Sequence, residues 1–303
     1  MFHQPPAHAA TVGKCSFGSA RYGQTSRVLP EMQTEFADLP MSLVSSDAAP
    51  EHLLGNSMLM MLSPADRMLL AADLTRVECK PLQRLFRAGE DVVAAYFPLE
   101  GCTIALSVGL ADGRDVHVGL IGREGAVGGI VSGGNKPGFA TAVVETGGPA
   151  LTLSHNDLQR AKSKSAHLVE QFASYADCLF AQAMQTAACN AFHSAEQRLA
   201  RWLLFLQDRV SRHDIPVTQD RLGAIIGAHR VTVLRGLRPL QESRLIEMRR
   251  GRVVVLDREG LERMACECRS AIEGHYRRML PGWHLESAGE APAEGPAHDH
   301  EPE

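Results

Sequence analysis

Residues 216–256 read PVTQDRLGAIIGAHRVTVLRGLRPLQESRLIEMRRGRVVVL. Thr218 offers a hydroxyl as a helix cap with Gln219 behind it, and Leu222, Ile225 and Ile226 recur at spacings that put them on one helical face. Gly227 ends that helix, and a second one starts after His229, with Val233 and Leu237 four apart and turned inward. Two short helices joined by a glycine turn outline a helix-turn-helix. Arg230, Val231, Thr232 and Arg235 are left on the outer surface of the second helix, where such a motif presents side chains to base edges. Gly236 and Pro239 predict that this helix ends or kinks in its second half, because proline removes a backbone donor and crowds the preceding turn.

Two strand-like runs follow, residues 245–248 and 252–256, around Arg249-Arg250-Gly251, with Arg252 opening the second run. A basic hairpin beside a helix pair is the layout of a winged helix. Residues 216–258 hold nine arginines against Asp220, Glu242, Glu247 and Asp257, a net +5. That local charge is the footprint expected of phosphate contact.

Upstream the pattern changes twice. Between residues 77 and 153, short Val-, Ile- and Thr-rich runs alternate with turn signals, which predicts an all-β sandwich or barrel. Asp112-Gly113, between residues 105–110 and 116–121, marks its clearest hairpin. Ser63-Pro64-Ala65-Asp66 is a helix start ahead of that region. From Leu158 to Val210 there is neither Pro nor Gly. Leu168, Phe172, Tyr175 and Leu179 step by four, three and four, the seam of a helix that packs on another element. Packing on the sheet of the same chain and packing on a second copy both satisfy that spacing. Ser194 and Gln197 form a capping box for a further helix over residues 194–210.

The expected organisation is therefore an extension over residues 1–50, a β-roll over 51–157, a long helix over 158–193, a winged helix-turn-helix over 194–280 and an acidic tail over 281–303. The first segment is rich in Pro, Gly, Ala, Ser and Gln without periodicity, and the last carries six acids and no Lys or Arg beyond residue 285, so both read as disordered. Removing those six charges takes the remainder of the 303-residue chain from −4 to about +2. A hydrophobic content of 45% suffices for two packed domains and excludes wholesale disorder. No run approaches the length of a membrane span, and the N-terminus lacks a basic start followed by an apolar block. With seven scattered cysteines, a soluble cytoplasmic protein with reduced thiols is expected.

In this order, a β-roll, a long helix and a C-terminal winged helix resemble the Crp/Fnr family of bacterial transcription regulators, over about residues 55–280. Val217-Thr218-Gln219 with Gly227, Arg230, Thr232 and Arg235 carry the likeness in the helix pair, and Tyr96-Phe97-Pro98, Asp112-Gly113-Arg114 and residues 119–128 carry it in the β-roll. The resemblance implies an α+β fold and a non-enzymatic, DNA-binding homodimer that reads a two-fold symmetric site. It assigns Leu168, Phe172, Tyr175 and Leu179 to the dimer interface. It assigns Thr218, Gln219, His229, Arg230, Val231, Thr232, Arg235, Arg249, Arg250 and Arg252 to contact with double-stranded DNA, with RNA polymerase as a further candidate partner. An arginine at positions 230 and 235 can bond a guanine edge twice, worth roughly 1–3 kcal/mol of discrimination. Val231 stands where familiar members carry an acid, so their target sequence does not transfer. Docking of a protein partner by the winged helix is the alternative reading.

No cofactor is expected. The stretch Gly125–Thr141 corresponds to the family's nucleotide cassette and has no arginine to pair a cyclic phosphate, which argues against cyclic AMP. Only Cys15 lies in the N-terminal segment, too few thiolates for the family's iron–sulfur cluster. Cys266 and Cys268, placed on a terminal helix, would diverge by about 200° and make poor partners for one metal, so no metal site is expected. Cys178 and Cys189 share a face of the long helix and could each meet a twin across a dimer axis as a redox-sensitive bridge.

Overall fold

The computed structural model describes residues 55–133, 136–210 and 212–283. The expected N-terminal extension and nearly all of the acidic tail lie outside them. The chain opens with α1 (Ser57–Met60) and α2 (Pro64–Ala71), the latter capped by Ser63, whose hydroxyl accepts from the Asp66 amide as its sequence predicts. Seven strands follow: β1 (Thr75–Cys79), β2 (Arg84–Phe86), β3 (Ala94–Pro98), β4 (Thr103–Gly109), β5 (Asp115–Ile121), β6 (Thr141–Thr146) and β7 (Gly148–Ser154). They form two antiparallel sheets, ordered β1-β7-β3 and β2-β6-β4-β5. The β4–β5 hairpin pairs Ala105 with Leu120 and Gly109 with Asp115, closing over Asp112-Gly113. Alternate residues from both sheets, among them Phe97, Ile104, Leu120 and Leu153, are sealed from solvent.

The Pro- and Gly-free stretch is not one helix. It divides into α3 (His155–Lys162), α4 (Ala166–Phe192) and α5 (Ala195–Val210). Ser165 caps α4 by accepting from the Leu168 amide, so the chain breaks at a serine turn that periodicity alone does not signal. At the next break Ser194 and Gln197 exchange both bonds of the expected capping box, 3.1 and 3.3 Å. Every residue of α5 from Leu199 to Val210 is buried. Two of its buried charges are met directly: Asp208 accepts from Arg258 and Arg269, and Arg209 donates to Glu124.

The C-terminal part contains β8 (Asp214–Ile215), α6 (Gln219–Ile226), α7 (Arg230–Glu242), β9 (Ile246–Arg249), β10 (Arg252–Val255), α8 (Arg258–Met264) and α9 (Cys268–Met279). The small sheet runs β8-β10-β9. Pro239 sits inside α7 and does not end it, which corrects the expectation of a shortened helix. Gly236 serves the packing of that helix. A Cβ at its position would lie 2.8 Å from Leu199 and 3.1 Å from backbone atoms of Ala195 and Glu196, so its absence lets α7 cross the start of α5 closely.

The seam of Leu168, Phe172, Tyr175 and Leu179 faces inward, which corrects its assignment to a dimer interface. The first three are fully buried within the single chain, and Leu179 packs on the same core. Phe172 meets Phe97 of the β-roll edge-on, and Tyr175 meets Tyr276 of α9. Tyr276 in turn stacks on Trp283, so the packed structure runs a few residues into the segment read as tail. The same face carries Cys178 and Cys189, both buried, so neither is placed to meet a twin. Cys266 precedes α9 instead of lying on it, so the helical divergence expected for Cys266 and Cys268 does not apply.

Candidate nucleic-acid interface

Helix α6 starts at Thr218, whose hydroxyl accepts from the Arg221 amide at 3.3 Å, and stops at Gly227 in the left-handed conformation, φ 61°. Leu222, Ile225 and Ile226 are buried, as are Val233 and Leu237 on α7. With both inner faces anchored, the outer face of α7 is fixed: Arg230, Val231, Leu234, Arg235 and Arg238 are exposed and Thr232 is half-buried. His229 precedes the first turn and makes no side-chain cap.

The β9–β10 hairpin pairs Arg249 with Arg252 and turns at Arg250-Gly251. A cleft between this wing and the helix pair is lined by Thr218, Gln219, Arg230, Arg249 and Arg250, with Asp220 the one acid and Met248 beside them. The structure thus brings five of the ten sequence-assigned contact residues around one opening. Val231, Thr232 and Arg235 continue along α7 beside it. Arg252 lies on the same hairpin but is held by Asp214 at 2.6 Å, and Arg249 is held by Glu247 at 2.8 Å. Arg230 approaches Asp220 at 3.9 Å, a loose exposed contact. Exposed pairs of this kind contribute little to stability, and phosphate oxygens can replace their carboxylates. Arg235 and Arg250 have no carboxylate partner among the described residues.

His229 points elsewhere: Arg114, in the β4–β5 turn, donates toward its Nε2 at 3.4 Å. Between the same two parts of the chain, Arg221 of α6 grips Glu145 of β6, its Nε 3.1 Å from Oε1 and its Nη2 on Oε2. His117 of β5 lies 4.0 Å from Glu145, and burial pushes its pKa down to about 4. In the sequence Arg221 registers only as charge. Its partner lies 76 positions away, and no local pattern points to it.

Where the family's nucleotide cassette would be expected, Tyr175 of α4 closes over the Gly125 backbone and its phenol accepts from the Ala126 amide at 3.0 Å. A Cβ on Gly125 would fall on that phenol, so the ring and the glycine require each other. No described helix is long and apolar enough to cross a membrane.

Residues 197–264 match the Crp-like helix-turn-helix domain. No curated protein sequence matches the chain. Among solved structures, FixK2 from Bradyrhizobium japonicum is 15% identical with a TM-score of 0.56, over 64% of this chain and 98% of that one. The c-di-GMP-responsive global regulator CLP from Xanthomonas campestris is 19% identical with a TM-score of 0.52, over 64% and 99%. A CRP-family transcriptional regulator from Thermus thermophilus is 22% identical with a TM-score of 0.53, over 63% and 96%. The chain therefore has the fold of the Crp/Fnr transcription regulators, with a Crp-like helix-turn-helix domain over residues 197–264.

Proposed function

We propose that this chain is a sequence-specific DNA-binding transcription regulator that acts in the cytoplasm as a two-fold homodimer. The convergence of Thr218, Gln219, Arg230, Arg249 and Arg250 around one opening carries the reading. In it, α7 lies in the major groove with Arg230, Val231, Thr232 and Arg235 toward base edges, and the wing arginines meet the flanking phosphates. Arg249 and Arg252 exchange their carboxylates for phosphate on docking.

The dimer seam in this reading is the outward face of α4. Val169, Ala173, Ala176, Phe180, Met184 and Ala187 follow one another by three or four residues, opposite the buried face. Phe180 is 64% exposed and Met184 53%, unusual for large apolar side chains on a helix this long. Two such stripes packed about a two-fold axis would set the paired recognition helices about 34 Å apart. The β-roll works without a cyclic nucleotide, since its cassette has no arginine for the phosphate and Tyr175 covers Gly125.

Selection from a random DNA pool by the purified chain, with no ligand added, tests the reading. An enriched palindrome, lost on Arg230→Glu or Arg235→Glu, is the expected result. Retention that is only salt-sensitive and sequence-blind, or unchanged by those reversals, would favour a protein partner for the winged helix.

A further inference from the structure

Four side chains from two distant parts of the sequence converge where α4 meets α9. Cys189 and His193 lie one helical turn apart at the end of α4, and Cys266 and Cys268 flank Glu267, the residue before α9. The three sulfurs and one imidazole nitrogen all lie within 4.8 Å of one another. Cys189 Sγ is 3.6 Å from Cys266 Sγ, and Cys268 Sγ is 3.4 Å from His193 Nδ1. A tetrahedral zinc ion with Zn–S bonds of about 2.3 Å separates its ligands by roughly 3.8 Å, so these gaps are close to the edges of such a site.

The surroundings fit the same chemistry. His193 Nε2 faces Glu267 Oε1 at 3.3 Å, which turns Nδ1 toward the sulfurs and reproduces the carboxylate–imidazole support found behind metal-bound histidines. The Gln185 side-chain amide donates to Cys268 Sγ at 3.1 Å, so an outer donor already orients that sulfur. Most telling is Arg201 of α5. It is fully buried, none of its three guanidinium nitrogens has a hydrogen-bond partner among the described residues, and the rings of Trp202 and Phe205 lie against it. An unmatched buried cation is costly and calls for a nearby anion. The electrostatic neighbours of Arg201 include Cys189, Cys266 and Cys268.

We propose that Cys189, His193, Cys266 and Cys268 form a structural site for one thiophilic divalent cation, Zn2+ above others, that ties the long helix to the last helix. Loading releases the three thiol protons to solvent and leaves a centre of net charge −1, since two positive charges meet three thiolates and a neutral imidazole. Arg201 balances that charge. Soft sulfur donors with closed four-fold coordination select zinc over magnesium or calcium, and no position is left open for a substrate. The site is independent of the DNA-binding reading, and its test does not involve DNA.

The test uses the full chain, stripped by chelator under reducing, anaerobic conditions and titrated with Co2+. The expected result is an intense visible spectrum of tetrahedral cobalt with sulfur-to-cobalt charge transfer, saturating at one ion per chain and bleached by added Zn2+. Metal loading should also raise the melting temperature. Cys266→Ser and Cys268→Ser should lose the spectrum, whereas Cys178→Ser should keep it. His193→Cys should keep metal binding with a shifted charge-transfer band, a gain that misfolding cannot mimic. A folded wild-type chain that takes up no cobalt would overturn the proposal. So would uptake equal in the Cys266→Ser and Cys268→Ser variants, isolated protein carrying iron with acid-labile sulfide on these cysteines, or a Cys189–Cys266 disulfide forming on oxidation without any metal uptake.

Discussion

Arg209 of α5 donates through Nε to Glu124 Oε1 at 2.7 Å, and both side chains are almost completely withdrawn from water. Both carboxylate oxygens of Glu124 also accept from the Gly122 amide, and Arg209 donates to the Phe205 carbonyl, so each charge has more than one partner. The pair joins the first helix of the helix-turn-helix domain to the end of strand β5. Breaking one half leaves the other charge buried without its counter-ion, which costs roughly 3–5 kcal/mol. Glu124→Gln and Arg209→Met should each lower the free energy of unfolding by about that much, read by chemical denaturation. The double variant should lose less than the sum of the two, because it leaves no orphaned charge.

His117 makes stability fall with acid. Burial holds its pKa at about 4 in the folded chain, with the nearby Arg221 cation adding to the depression and Glu145 opposing it. In the unfolded chain an ordinary histidine titrates near 6.5. Between these values the unfolded state binds a proton that the folded state refuses, so stability is lost as pH drops through that window. The loss from this group is about 2 kcal/mol between pH 7 and 5. His117→Gln should flatten the slope of unfolding free energy against pH in that interval. An unchanged slope would mean that Glu145 keeps the ring chargeable.

Gly236 holds α7 against α5, and its replacement tests how that crossing sets the recognition face. Ala at 236 must displace backbone atoms of Ala195 and Glu196 as well as the tip of Leu199. Overpacking of this kind costs about 1–3 kcal/mol even though alanine is the better helix former. Gly236→Ala should therefore lower the melting temperature. It should also weaken specific DNA binding more than general binding, since Arg230 and Arg235 move relative to the wing.

The local devices of this fold are legible in its sequence. The Ser63 and Ser194 caps, the Asp112-Gly113 turn and the helix pair around Gly227 each depend on residues within one turn of one another, and each is found where it is expected. Pairings that arise only on folding are not legible. Arg221 with Glu145, Arg209 with Glu124 and Cys189 with Cys266 join residues 76, 85 and 77 positions apart. Pro239 misleads for a related reason: the tertiary packing of α7 on α5 outweighs the loss of one backbone bond. Helical spacing on α4 identifies an apolar face correctly but does not say what covers it, because a second apolar face of similar spacing runs along the other side.

Those two faces of α4 separate stability from assembly. Phe172 is sealed against Phe97, so Phe172→Ala removes a buried ring and should cost about 3–5 kcal/mol whatever the oligomeric state. Phe180 and Met184 touch solvent in the single chain, so Phe180→Glu and Met184→Glu should leave the fold of one protomer intact. In a dimer built on this face the two glutamates would instead be buried against their twins, an arrangement that burial and like charge both disfavour. The double variant should therefore sediment as a folded monomer where the parent sediments as a dimer, and should bind a palindromic site with the affinity of a single half-site. A parent chain that is already monomeric, or a double variant that stays dimeric, would move the seam away from α4.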